Sequence, residues 1–119
     1  MASRRPTVWE TGATHRLALE DTILLDTPAW LTWLDDPATT SFAFPVHNRV
    51  QGYIEGFMTL RKEHRQRGGP YWTAYWRVQG RVRKVYLGAS TAVTAARLRA
   101  IAAGWLALAP DSSPGRAAH

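Results

Sequence analysis

Residues 61–87 read RKEHRQRGGPYWTAYWRVQGRVRKVYL, and the fold turns on how this stretch is divided. Eight Arg or Lys side chains and His64 are interleaved with aromatic and β-branched residues. With the residues just before it, the stretch predicts three strands, over 57–63, 71–78 and 81–87, each alternating between two classes of side chain. Residues 65–70, RQRGGP, form a basic turn, because a strand cannot run through Gly-Gly-Pro. Gln79 and Gly80 join the last two strands, and Gly80 supplies the positive φ that a tight hairpin needs. Pairing about this turn sets Arg77 opposite Val82, Tyr75 opposite Lys84 and Thr73 opposite Tyr86 on one face. The other face carries Trp72, Ala74, Trp76, Arg83, Val85 and Leu87.

Gly88 ends the third strand. Ser90, Thr91 and Thr94 are candidate caps for a helix over 95–108, in which Leu98, Ile101, Ala102, Trp105 and Leu108 make one apolar stripe. That stripe matches the face of Trp72, Ala74, Val85 and Leu87, so helix and sheet are expected to close on each other. The opposite face, with Tyr71, Thr73, Tyr75, Arg77, Lys84 and Tyr86, is then left to solvent, joined by Thr59 and Arg61 from the neighbouring strand.

Upstream, residues 16–25 read as a small hairpin turning at Glu20-Asp21. Thr27 and Pro28 open a short helix to about Asp35, with Trp30, Trp33 and Leu34 on one side, and Asp36-Pro37 closes it. SFAF, residues 41–44, reads as an edge strand stopped by Pro45, followed by a polar connection over 46–52. Residues 1–14 carry little pattern beyond Arg4, Arg5 and Trp9, and 110–119 is a Ser/Pro/Gly/Ala-rich tail expected to be disordered. The predicted architecture is α+β: a three-stranded antiparallel sheet packed on a C-terminal helix, with a small N-terminal hairpin and a short helix. It is one domain over 15–109, with 15–50 an acidic, Trp-rich cap and 56–108 a basic sheet plus helix. A chain of 119 residues suits one such core.

The formal net charge is +6. Its distribution is uneven, with a net of −2 over residues 1–50 and +8 over 51–108. Charge of one sign concentrated on a sheet is suited to a polyanion. No cysteine is present, which excludes disulfides, a thiol nucleophile and thiolate metal sites, and fits a cytoplasmic setting. The N-terminus lacks an apolar signal core, and the longest apolar run, 100–109, is about half a membrane span. His15, His47, His64 and His119 fall in separate segments without metal-site spacing, and the carboxylate pairs Glu20-Asp21 and Asp35-Asp36 fit a turn and a helix end. Neither an enzyme, a cofactor nor a bound metal is expected.

The run MTLRKEHRQRGGPYWTAYWRVQGRVRKVYLGASTAVTAARLRAIA, residues 58–102, resembles the N-terminal region of large bacterial LuxR-type, MalT-like transcriptional regulators. The shared elements are RKE, a basic turn with GG, YW-x-AY, a basic hairpin, K-x-YLG and a helix. DTPAWLTWLDD and SFAF upstream are similar to the DTPAW-x-x-WL and SFAF of the same region, so the likeness covers about 26–105. In those regulators a nucleotide-binding module and a helix-turn-helix follow. Neither stands in this sequence, so ATP dependence and helix-turn-helix binding do not carry over. The strand-strand-strand-helix order is also similar to the sheet-type DNA-binding domains of phage integrase arms and AP2 transcription factors.

The expected function is a DNA-binding module for transcription regulation or an accessory role, contacting duplex DNA through the basic sheet face. Arg61, Lys62, Arg65 and Arg67 are the candidate phosphate anchors, and Thr73, Tyr75, Arg77, Arg83, Lys84 and Tyr86 the candidate groove contacts. Two alternatives stay open. One is a protein-interaction module using the sheet aromatics as anchors, and the other a single-stranded nucleic-acid binder stacking bases on Tyr75, Trp76 and Tyr86. Trp30, Trp33, Trp72 and Trp105 read as core, Trp76 as either.

Overall fold

A computed structural model describes residues 6–11, 14–19, 22–48, 50–64, 67–78 and 80–108. The strands are β1 (Thr7–Thr11), β2 (Thr14–Ala18), β3 (Ile23–Leu24), β4 (Ser41–Asn48), β5 (Tyr53–Glu63), β6 (Tyr71–Val78) and β7 (Arg81–Gly88). Two helices, α1 (Pro28–Asp35) and α2 (Ala95–Leu108), and one 3₁₀ turn, Ser90–Ala92, complete the elements. All seven strands form one mixed sheet in the order β3-β2-β1-β4-β5-β6-β7. Neighbours are antiparallel except β1 and β4, which run parallel from the register point Thr7↔Ala43. A parallel pair needs a crossover, here β2, β3 and α1 together.

This corrects the expected three-stranded sheet on a helix: the segment read as a cap supplies three of the seven strands, and the N-terminal stretch before it a fourth. Two features of β1 and β4 explain the difference. SFAF does not stop at Pro45 but continues to Asn48 as the central strand, pairing with β5 from Ser41↔Arg61 to Asn48↔Tyr53. The Ala43 N–H goes to Pro6 O at 2.7 Å, on the β1 side, and alternation turns Pro45 the same way. The donor that proline lacks therefore falls where the parallel ladder has already run out after one register pair. Residues 7–11, expected to be loosely ordered, form β1, with Val8 fully buried and Trp9 on the opposite side.

Both helices cover one face of this sheet. Val8 and Leu17, Phe42, Phe44 and Val46, Met58 and Leu60, and Trp72 and Ala74 join Trp30 and Leu34 of α1 and Leu98, Ile101, Ala102 and Trp105 of α2 in one buried cluster. The stripe read from the sequence is the one α2 uses, although the Leu108 side chain lies outside the described residues. Each such burial is worth about 1.5–3 kcal/mol, so a single core spanning seven strands dominates stability.

The helices begin as their sequences dictate. Thr27 caps α1, its Oγ1 accepting from Trp30 N at 3.3 Å, with Pro28 in the first turn. Thr94 Oγ1 accepts from Arg97 N at 3.2 Å at the start of α2. A second acceptor comes from far away in sequence: Asp26 Oδ1 accepts from Ala95 N at 3.0 Å, aimed there by a left-handed φ of 64°. Trp30 Nε1 donates to the Val93 carbonyl at 2.8 Å in the interior, tying α1 to the entry of α2.

Candidate nucleic-acid interface

The sheet face away from the helices is the one predicted to be open. The hairpin register is as read from the sequence, with Thr73↔Tyr86, Tyr75↔Lys84 and Arg77↔Val82. β5 adds Thr59↔Tyr75, Arg61↔Thr73 and Glu63↔Tyr71 to the same face. Glu63, absent from the predicted site, organises the far end. Tyr75 Oη donates to Glu63 Oε2 at 2.6 Å and Thr73 Oγ1 to Oε1 at 3.0 Å. The Tyr75 hydrogen bond draws the Glu63 carboxyl below its usual range; partial burial opposes this, while the Thr73 bond and the positive fields of Arg61 and Lys84 reinforce it. The same hydrogen bond, with burial and the carboxylate's charge behind it, raises the Tyr75 hydroxyl. Arg61 lies over the Tyr75 ring, 5.7 Å from its centroid, and stays exposed.

The predicted residues thus separate into groups. Thr73 is buried and, with Tyr75, committed to Glu63. Lys62 points to the helix side, where its Nζ donates to Asp36 O at 2.9 Å, beside the end of α1, and lies 5.5 Å from the Trp72 ring centroid. That is a strut between β5 and α1. Tyr86 is 52% exposed with its ring 5.4 Å from that of Tyr71. Arg67 is exposed on the β5–β6 connection, and Arg65 lies outside the described residues.

Arg77, Arg83 and Lys84 are brought together in a way the face-by-face reading missed. The β5–β6 ladder registers last at Thr59↔Tyr75, whereas β6 and β7 continue through Trp76↔Arg83, Arg77↔Val82 and Val78↔Arg81. Residues 76–78 and 81–83 therefore ladder only with each other, a two-stranded ribbon beside the stretch of β5 that pairs with β4 down to Tyr53. Arg77 and Val82 lie on its open side and Arg81 and Arg83 on the other, with Lys84 at its base opposite Tyr75, all exposed. Gly80 turns the ribbon at φ +78°, and Arg77 Nη1 donates to Gly80 O at 3.1 Å.

The base of the ribbon is held firmly. The Trp76 ring packs 5.8 Å from Trp105 of α2, and a Cβ at Gly56 would come within 3.3 Å of Trp76 Nε1, so the indole lies against bare β5 backbone. Arg81 is the functional candidate that sequence reading left out. Its signal was available, since it is the first residue after Gly80 in a stretch, 64–108, that contains no Asp or Glu. Of Arg77, Arg81, Arg83 and Lys84, Lys84 is the one whose field reaches Glu63, and none of the four forms an ion pair with a carboxylate among the described residues. Among those residues no group of three His, Asp or Glu could hold a metal ion, and no helix is long and apolar enough to cross a membrane.

The family described as Domain of unknown function (DUF6788) matches residues 50–98, under half of the chain, from the end of the β4–β5 connection through the hairpin to the first turn of α2. No curated protein and no solved structure matches.

Proposed function

We propose that this protein binds duplex DNA by placing the β6–β7 ribbon in the major groove, in a transcription-regulating or accessory role. The observation that carries this is the ribbon itself: two strands laddered only to each other, with exposed Arg77, Arg81 and Arg83 on its two sides and Lys84 at its base, none in an ion pair with a carboxylate among the described residues. The groove, about 12 Å wide, admits a two-stranded ribbon. A seven-stranded sheet with strands about 4.8 Å apart is roughly 29 Å across and cannot enter it. The ribbon, rather than the whole face, is therefore the reading element. Arg77, Arg81, Arg83 and Lys84 reach base edges and the groove walls, Val82 offers an apolar contact to a thymine methyl, and Arg61 and Arg67 at the flanks meet phosphates. The resemblance of residues 26–105 to the N-terminal region of bacterial regulators supports the regulatory role.

Mobility-shift titrations at two salt concentrations test this with Arg77→Ala/Lys84→Ala and Arg81→Ala/Arg83→Ala. Each pair is expected to weaken duplex binding at least tenfold, and each lost phosphate contact to lower the salt slope by about 0.9. Duplex binding indifferent to both pairs would reject the ribbon. A second reading, single-stranded nucleic acid, is favoured by the exposed aromatics Trp9, Phe57 and Tyr86 on the open face. It predicts tighter binding to single strands than to duplex and loss on Tyr86→Ala.

A further inference from the structure

The helix side of the sheet holds a second feature, far from the ribbon. Where α2 passes over β1, β2 and β4 it leaves a cleft of about 320 Å³, within the size range of small-molecule sites. Val8 and Phe44 form its apolar floor, and Ala102, Ala103 and Leu106 its roof. The short side chains of Ala102 and Ala103 are the α2 residues that border it between Arg99 and Leu106.

The charges at its edge are unequal in their commitments. Glu10 Oε1 lies 3.7 Å from His47 Nδ1 at the same edge. His15 is buried, its ring stacked on Phe44 at 5.7 Å and 11° between planes, which adds a flat aromatic surface. Arg99 lines the same cleft from α2, exposed, without a carboxylate partner among the described residues. An apolar slot with a guanidinium at its rim is complementary to an apolar body carrying one negative group.

We infer that this cleft binds a small monocarboxylic acid with a flat or branched apolar body, the carboxylate on Arg99 and the body against Val8, Phe44 and Leu106. The inference is independent of DNA binding. 3-Phenylpropionate is the probe, with 3-phenylpropanol as its uncharged counterpart and phenethylamine as the cationic one, followed by ligand-detected NMR and calorimetry on the full chain. The acid is expected to bind at least tenfold more tightly than either counterpart. Arg99→Gln, at an exposed site that leaves packing intact, should remove that advantage, and Ala103→Leu should block all three probes by filling the slot. Circular dichroism establishes that both variants are folded. No detectable binding of the acid at millimolar concentration, equal binding of acid and alcohol, preference for the amine, or an Arg99→Gln variant that binds as the parent does would each overturn it.

Discussion

Glu63 shows how one carboxylate changes the meaning of a basic surface. It sits among Arg61, Thr73, Tyr75 and Lys84, and by accepting from the two hydroxyls it converts the end of the open face into a self-satisfied polar cluster. Its folded-state pKa is lowered, so its contribution to stability is present above the unfolded value and is lost as pH falls through the folded one. Tyr75→Phe removes the largest cause of that shift. The variant should lose about 1 kcal/mol at neutral pH, a moderate value for a hydrogen bond to a partly solvated carboxylate. The difference from the parent should shrink as pH falls through the lowered folded-state value of Glu63. Urea denaturation across an acid pH series measures it, and a pH-independent difference would mean that the hydroxyl acts by packing alone. Carboxyl NMR should show the Glu63 titration moving up in the variant.

At the scale of elements, the junction between α1 and α2 depends on contacts remote in sequence. Trp30 carries most of it, buried at 1% exposure and donating to the Val93 carbonyl. Trp30→Phe keeps an aromatic ring but orphans that carbonyl and removes volume, at a cost of about 2–3 kcal/mol by equilibrium unfolding. A loss below about 0.5 kcal/mol would show that water or a shift of the turn replaces the bond. The β6–β7 hairpin is the contrasting case, because its turn residue, alternation and register were all legible locally. What local pattern left hidden was where β5 stops pairing with β6, and that end point makes the last part of the hairpin a ribbon laddered only to itself.

At the scale of the whole molecule, the core is one cluster and the two halves of the chain build it together. Eight of its eighteen residues, from Val8 to Val46, precede residue 50. A fragment of residues 50–108, which contains the region matched by the family and all of the ribbon, leaves Met58, Leu60, Trp72 and α2 without β4 and α1. It should show no cooperative thermal or urea transition, whereas the full chain should unfold in one transition that is coincident by circular dichroism and tryptophan fluorescence. A cooperative fragment would mean that the N-terminal half is an accessory rather than part of the core.

The sequence by itself determined the elements whose signals are local: the caps and apolar faces of α1 and α2, the Gly80 hairpin with its register, the burial of Trp30, Trp72 and Trp105, and the concentration of positive charge after residue 50. Only the tertiary structure decided that β1 and β4 pair in parallel and so merge two apparent halves into a seven-stranded sheet. It also decided that Lys62, Thr73 and Tyr75 have partners within the chain while Arg77, Arg81 and Arg83 lie exposed on the ribbon and Lys84 at its base. The reason is physical. Periodicity and turn chemistry act over a few residues and can be read in order, but a proline is tolerated in a central strand, and a cation is left available, according to which backbone or side chain lies beside it from elsewhere in the chain.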